Sequence, residues 1–159
     1  MVKRPDLYPG AQIRGWFQFE SEWVYQIKEL SMCLVIGDSI AVGIDLPCKH
    51  YAQKGITSAG WLKKYHHVKL KGELVIVSLG SNDDNPDDLE RVKAKLGTAI
   101  WVLPACNVKF CKPAINAKIK KLNYIIPKSR QADGIHPTPE AYRDLSARLL
   151  RWNRRPYTS

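Results

Sequence analysis

The sequence predicts an α/β fold, a parallel sheet covered by helices on both sides. Three observations point to it. Apolar runs closed by glycine or proline recur along the chain, as strands buried on both faces do. Amphipathic helical patterns fill the intervals between them. Strands alternating with helices of this length give a parallel sheet with crossover connections.

The elements follow in order. Met32-Cys33-Leu34-Val35-Ile36 is a continuous apolar run ended by Gly37. Lys49-His50-Tyr51-Ala52 is a weaker strand candidate, and a helix is expected from Ser58 to His66. Leu74 to Leu79 is the second strong strand, ended by Gly80, with a helix from Pro86 to Leu96. Ala99 to Leu103 is ended by Pro104, and a helix is expected from Pro113 to Leu122. Tyr124-Ile125-Ile126 is a short strand ended by Pro127. The last helix, Pro137 to Trp152, is the clearest: Thr138-Pro139-Glu140 suits a helix start, and Ala141, Leu145, Leu149 and Trp152 share one face.

Residues 1–31 fit this scheme poorly. They are rich in aromatics and include a short helical pattern from Ser21 to Leu30. They are read as an N-terminal extension (a packing segment, cap or oligomer contact), with the main domain at 32–159.

The whole chain has 159 residues, one domain's worth, and 45% of them are hydrophobic. No apolar run is long enough to span a membrane, and the N-terminus lacks the apolar core of a secretory signal. A cytoplasmic location is the expectation. A formal net charge of +10 suits a nucleic acid or an anionic polymer as partner. The cations are scattered, and the densest groups, Lys118 to Lys121 and Arg151 to Arg155, fall where solvated helix faces and ends belong. A nucleic-acid role is therefore not the reading.

Cys33, Cys48, Cys106 and Cys111 form no CxxC pair. Cys33 reads as a small buried hydrophobe, Cys106 and Cys111 could cross-link or share a metal, and reduced thiols are expected overall. His66 and His67 suit a helix C-terminus better than a ligand set. Trp61 could border a site or fill the core. Asp83, Asp84, Asp87 and Asp88 lack a calcium-loop pattern, and Asp87 and Asp88 suit a helix N-terminus.

Four short stretches carry the chemistry: Gly37-Asp38-Ser39, Gly55-Ile56-Thr57-Ser58, Gly80-Ser81-Asn82-Asp83 and Asp133-Gly134-Ile135-His136. Ligands in such a sheet bind beyond the carboxyl ends of the strands, and Ser39, Asn82, Asp133 and His136 all fall there. A serine hydroxyl is a weak nucleophile until a base takes its proton. Histidine suits that task, and a carboxylate holds its ring in the productive tautomer. Preplaced donors must then stabilise the oxyanion of the tetrahedral intermediate. Taken singly the signals are weak: Gly37-Asp38-Ser39 is short enough to arise by chance, Gly80 to Asp83 could be a simple turn, and Asp133 to Pro137 a loop leading into a helix.

Together, and in this order, they resemble the SGNH (GDSL-type) hydrolase family over residues 32 to about 152. Val35-Ile36-Gly37-Asp38-Ser39 resembles its nucleophile block, and Gly55 its glycine block. Val75 to Asp83 resembles its Gly-x-Asn-Asp block, and Asp133 to Pro137 with Glu140-Ala141-Tyr142 its final block. Trp101-Val102-Leu103-Pro104 resembles its penultimate strand. The resemblance implies a flavodoxin-like three-layer α/β/α sandwich with a five-stranded parallel sheet. It implies Ser39 as nucleophile, His136 as base and Asp133 orienting the histidine. The backbone N–H groups of Ser39 and Gly55 and the side-chain amide of Asn82 would form the oxyanion hole. Asp38 would support the nucleophile turn, and no metal or organic cofactor is needed.

The chain departs from the family in being short, with only about fifteen residues between Asn82 and the next strand. A shallow, open site is expected. It suits an acetyl group on a carbohydrate such as cell-wall polysaccharide better than a long acyl chain, which needs an apolar trench. The expected partner is thus an acylated small-molecule or polysaccharide substrate; the sequence leaves the oligomeric state open. The alternatives are a thioesterase or lysophospholipase of the same family, or a non-catalytic module retaining the fold.

Overall fold

The structure, a computed structural model, describes residues 33–69 and 74–153. The expected N-terminal extension lies outside the described residues. Five strands, β1 (Cys33–Gly37), β2 (Lys49–Ala52), β3 (Leu74–Ser78), β4 (Ile100–Val102) and β5 (Tyr124–Ile125), form one sheet in the order β2-β1-β3-β4-β5. All neighbouring pairs are parallel. This is the flavodoxin-like order, in which the chain reverses direction across the sheet between β1 and β3.

The helices are α1 (Ser39–Gly43), α2 (Ser58–Lys64), α3 (Pro86–Leu96), α4 (Pro113–Ile119) and α5 (Pro139–Asn153). Alternate strand residues serve two cores, as the period of two requires. Ile36, Val75, Val77 and Trp101 pack with α2, α3 and α4 through residues such as Trp61, Val92 and Ile115. Val35, Ile76, Ile100 and Val102 pack with α1 and α5 through Ile40, Leu145 and Leu149. The result is a helix–sheet–helix sandwich. Continuous apolar strands are needed because both faces of the sheet are covered.

Helix starts follow local chemistry. Asn85 caps α3 by accepting from Asp87 N–H, and Asp87 and Asp88 occupy its first turn. The Thr138 hydroxyl accepts from Ala141 N–H, so α5 begins at Pro139 rather than Pro137. α4 closes at Ile119, short of Leu122, in a turn where Leu122 N–H donates to the Ile119 carbonyl. α2 ends at Lys64, and His66 Nδ1 lies 3.0 Å from the Lys63 carbonyl in its last turn. Trp61 is fully buried and donates its indole N–H to the Tyr51 carbonyl, so it belongs to the core. The five-residue helix α1 is the one element not expected from the sequence; so short a segment carries no readable period.

The expectation of reduced thiols is overturned. Cys33 is bonded to Cys48, and Cys106 to Cys111, which leaves none of the four free. The register explains the first pair. Leu34 lies opposite Lys49 in the β1–β2 ladder, so the preceding residues, Cys33 and Cys48, face each other with Cα atoms 5.0 Å apart. Cys106 and Cys111 face each other across an antiparallel bridge that closes a short loop after β4. Among the described residues no helix is long and apolar enough to cross a membrane.

Candidate active site

The carboxyl ends of β1 and β3 approach closely because Gly37 has no side chain. A Cβ there would lie 1.9 Å from the Ser78 carbonyl oxygen, and its φ of 141° favours glycine. Asp38 N–H donates to that same carbonyl at 2.9 Å. The chain then turns directly into α1, with Ser39 as the first helical residue. Asp38 Oδ1 accepts from Ile40 N–H at 3.0 Å and from the Ser78 hydroxyl at 3.1 Å, which fixes the turn that presents Ser39. Asp38 is only 1% exposed, and its Oδ2 has no hydrogen-bond partner among the described residues. Burial pushes its carboxyl up to about 6.

Ser39 Oγ lies 2.8 Å from His136 Nε2, and His136 Nδ1 lies 2.7 Å from Asp133 Oδ2. Three residues from two distant segments thus form one continuous chain. Asp133 Oδ1 also accepts from Ile135 N–H at 2.8 Å and His136 N–H at 3.0 Å. The side-chain bond to His136, followed by these backbone N–H groups, holds the Asp133 carboxyl down at about 2. Asp133 is therefore ionised at neutral pH and can only accept. Nδ1 must carry the proton, so in the neutral imidazole Nε2 is the nitrogen that presents its lone pair to the Ser39 hydroxyl.

Gly55 lies on the exposed turn after β2. Gln53 N–H donates to the Gly37 carbonyl at 2.9 Å, which holds this turn beside the Ser39 segment. The side-chain amide of Asn82, after β3, donates to the Ile56 carbonyl at 3.1 Å. Gly55 and Asn82 thus sit on two loops that are tied together.

Several residues that build this site were given no part in it by the sequence reading. Asp83, 2% exposed, accepts from Ser58 N–H at 2.7 Å and from the Ser58 hydroxyl. Arg130 donates to the carbonyls of Ile135 at 2.7 Å and Leu103 at 2.9 Å, bracing the His136 loop against the end of β4. Its guanidinium is shifted down by burial, offset by Tyr142 and Asp133. Tyr142 lies against Gly43, where a Cβ would meet its ring, and burial followed by the Asp38 charge pushes its phenol up. Asp83 and Tyr142 stood in recognised blocks; nothing in the local sequence of Arg130 marked it. Among the described residues no cluster of histidine, cysteine and carboxylate side chains could hold a metal.

No protein-family model matches the sequence, and no curated protein sequence does. Solved structures do match. A GDSL-like lipase from Bacteroides thetaiotaomicron is 17% identical with a TM-score of 0.58, covering 86% of this chain and 97% of its own. A candidate acylhydrolase from Bacteroides fragilis is 17% identical with a TM-score of 0.56, covering 88% of this chain and 97% of its own. The five-stranded parallel sheet, its strand order and these likenesses agree on a flavodoxin-like α/β/α sandwich, the fold this chain shares with those GDSL-type structures.

Proposed function

We propose that this chain is a serine esterase of the SGNH family that works through an acyl-enzyme. The observation that carries the reading is the unbroken chain from Ser39 Oγ through His136 to Asp133, with links of 2.8 and 2.7 Å, at the carboxyl edge of the sheet. Ser39 Oγ attacks the ester carbonyl carbon as its proton passes to His136 Nε2. The carbonyl oxygen becomes an oxyanion, received by the backbone N–H groups of Ser39 and Gly55 and by the Asn82 amide. Collapse expels the alcohol, which takes the proton from His136. Water then gives a proton to His136 and attacks the acyl-enzyme. The second intermediate releases the carboxylic acid and returns the proton to Ser39. Asp133 stays ionised throughout and stabilises the imidazolium that forms in each half-reaction.

The substrate we assign is a small acyl group, acetyl first, on a carbohydrate such as a cell-wall polysaccharide. Short connections after β3 and β4 favour it, since they supply little chain to wall an acyl trench. The two disulfides favour an oxidising compartment over the cytoplasm. Hydrolysis of p-nitrophenyl acetate, butyrate and octanoate by wild type and Ser39→Ala tests the reading. Acetate turnover lost in the variant, with fluorophosphonate labelling of Ser39 in the wild type, is the expected result. Preference for octanoate would move the substrate to lipids or thioesters, and equal rates in both proteins would sink Ser39 as nucleophile.

A further inference from the structure

The Asp133 side chain is 42% exposed, so burial does not hold the acid–histidine turn in place. Something else must, because about 1 Å of misplacement at a reacting group costs on the order of a hundredfold in rate. The loop closed by the Cys106–Cys111 disulfide lies directly behind that turn. Asn107 Oδ1 accepts from Lys109 N–H at 2.9 Å and Phe110 N–H at 3.1 Å, which shapes the loop. Asn107 N–H also donates to the Phe110 carbonyl at 2.8 Å, across the bridge. The same side chain turns its Nδ2 outward and donates to the Gly134 carbonyl at 2.8 Å. Lys109 Nζ adds a bond to the Ala132 carbonyl at 2.6 Å. These acceptors flank Asp133 on either side. Gly134 is buried at φ 73°, and a Cβ there would lie 2.8 Å from Lys109 Cβ and 3.0 Å from Asn107 Oδ1. The loop's Lys109 and Asn107 side chains thus fill the space that a side chain at Gly134 would need.

We propose that the disulfide-closed loop Cys106–Cys111 is a clamp that positions His136, with Asn107 as its positioning residue acting through the Gly134 carbonyl. Nothing in the loop touches the reacting atoms in this assignment. The disulfide limits the conformations the six-residue loop can take, and Asn107 transmits that order to the segment carrying both Asp133 and His136. The proposal rests on the roles given to Ser39, His136 and Asp133 above.

The test compares wild type with Asn107→Ala, with Cys106→Ser/Cys111→Ser, and with Cys33→Ala/Cys48→Ala as a control remote from the turn. Two readouts are taken: kcat and KM on p-nitrophenyl acetate, and the downfield proton resonance of His136 Nδ1–H in the folded protein. The clamp variants should lose about ten- to hundredfold in kcat at little-changed KM, and the resonance should broaden or vanish while circular dichroism stays unchanged. The control should melt earlier yet keep kcat and the resonance. Wild-type kcat and an intact resonance in both clamp variants would overturn the clamp. If wild type shows no Ser39-dependent turnover, the esterase reading fails, and the resonance alone still decides whether Asn107 orders His136.

Discussion

Asn82 donates its side-chain N–H to the carbonyl of Ile56 across 3.1 Å, tying the loop after β3 to the loop after β2. An amide carries two N–H groups, so anchoring one fixes the direction of the other. The free N–H is the donor assigned to the oxyanion. Asn82→Ala should therefore lower kcat by about 10²- to 10³-fold with a small effect on KM, measured by steady-state ester hydrolysis. A change confined to KM would remove Asn82 from the oxyanion hole.

The bonds from Ser58, the first residue of α2, to buried Asp83 are a second tie to the loop after β3. Ser58→Ala removes the hydroxyl and leaves a buried carboxylate with one fewer donor. A loss of about 1.5–3 kcal/mol in urea unfolding is expected. Unchanged stability would mean the pair is replaceable by water.

Gly37 sits where β1 and β3 touch, with the Ser78 carbonyl occupying the space of a side chain. Gly37→Ala combines that clash with a backbone conformation alanine rarely adopts. We expect a cost of about 3 kcal/mol or more, seen as loss of the cooperative thermal transition.

Asp38 gives a pH dependence of stability with a definite sign. Its folded value is about 6 against an ordinary 3.8, so the native state binds more protons between those values. Its stabilising contribution is full below the unfolded value and is lost as pH rises through about 6. The difference in unfolding free energy between Asp38→Asn and wild type should grow from pH 4 to pH 7, by about 3 kcal/mol at most. Denaturant titrations at pH 4, 5, 6 and 7 measure it, and a flat difference would contradict an ionising buried Asp38.

The Cys33–Cys48 bond closes a separation of 15 residues between the edge strand β2 and its neighbour. Breaking it in Cys33→Ala/Cys48→Ala should lower stability by about 3 kcal/mol. A chemical-denaturation midpoint equal to that of wild type would show that the pairing contributes nothing.

The fold class was legible in the sequence, as were the residues from which the active site is proposed. The runs at β1, β3 and β4 are continuously apolar, save Ser78 at the end of β3, because both faces of the sheet are covered, and that pattern is local. Ser39, Asn82, Asp133 and His136 could be placed at one edge because strands of a parallel sheet share a direction. The remaining features arise from long-range packing. Ser39 and His136 are 97 residues apart, and their 2.8 Å contact depends on how β5 and α5 return to β1. The pairing of Cys33 with Cys48 depends on strand register, which no spacing announces. Arg130, Asn107 and the Ser58–Asp83 bond act through backbone carbonyls and buried polar contacts. Any residue can present a carbonyl, so such partners leave no mark in a sequence until folding brings them together.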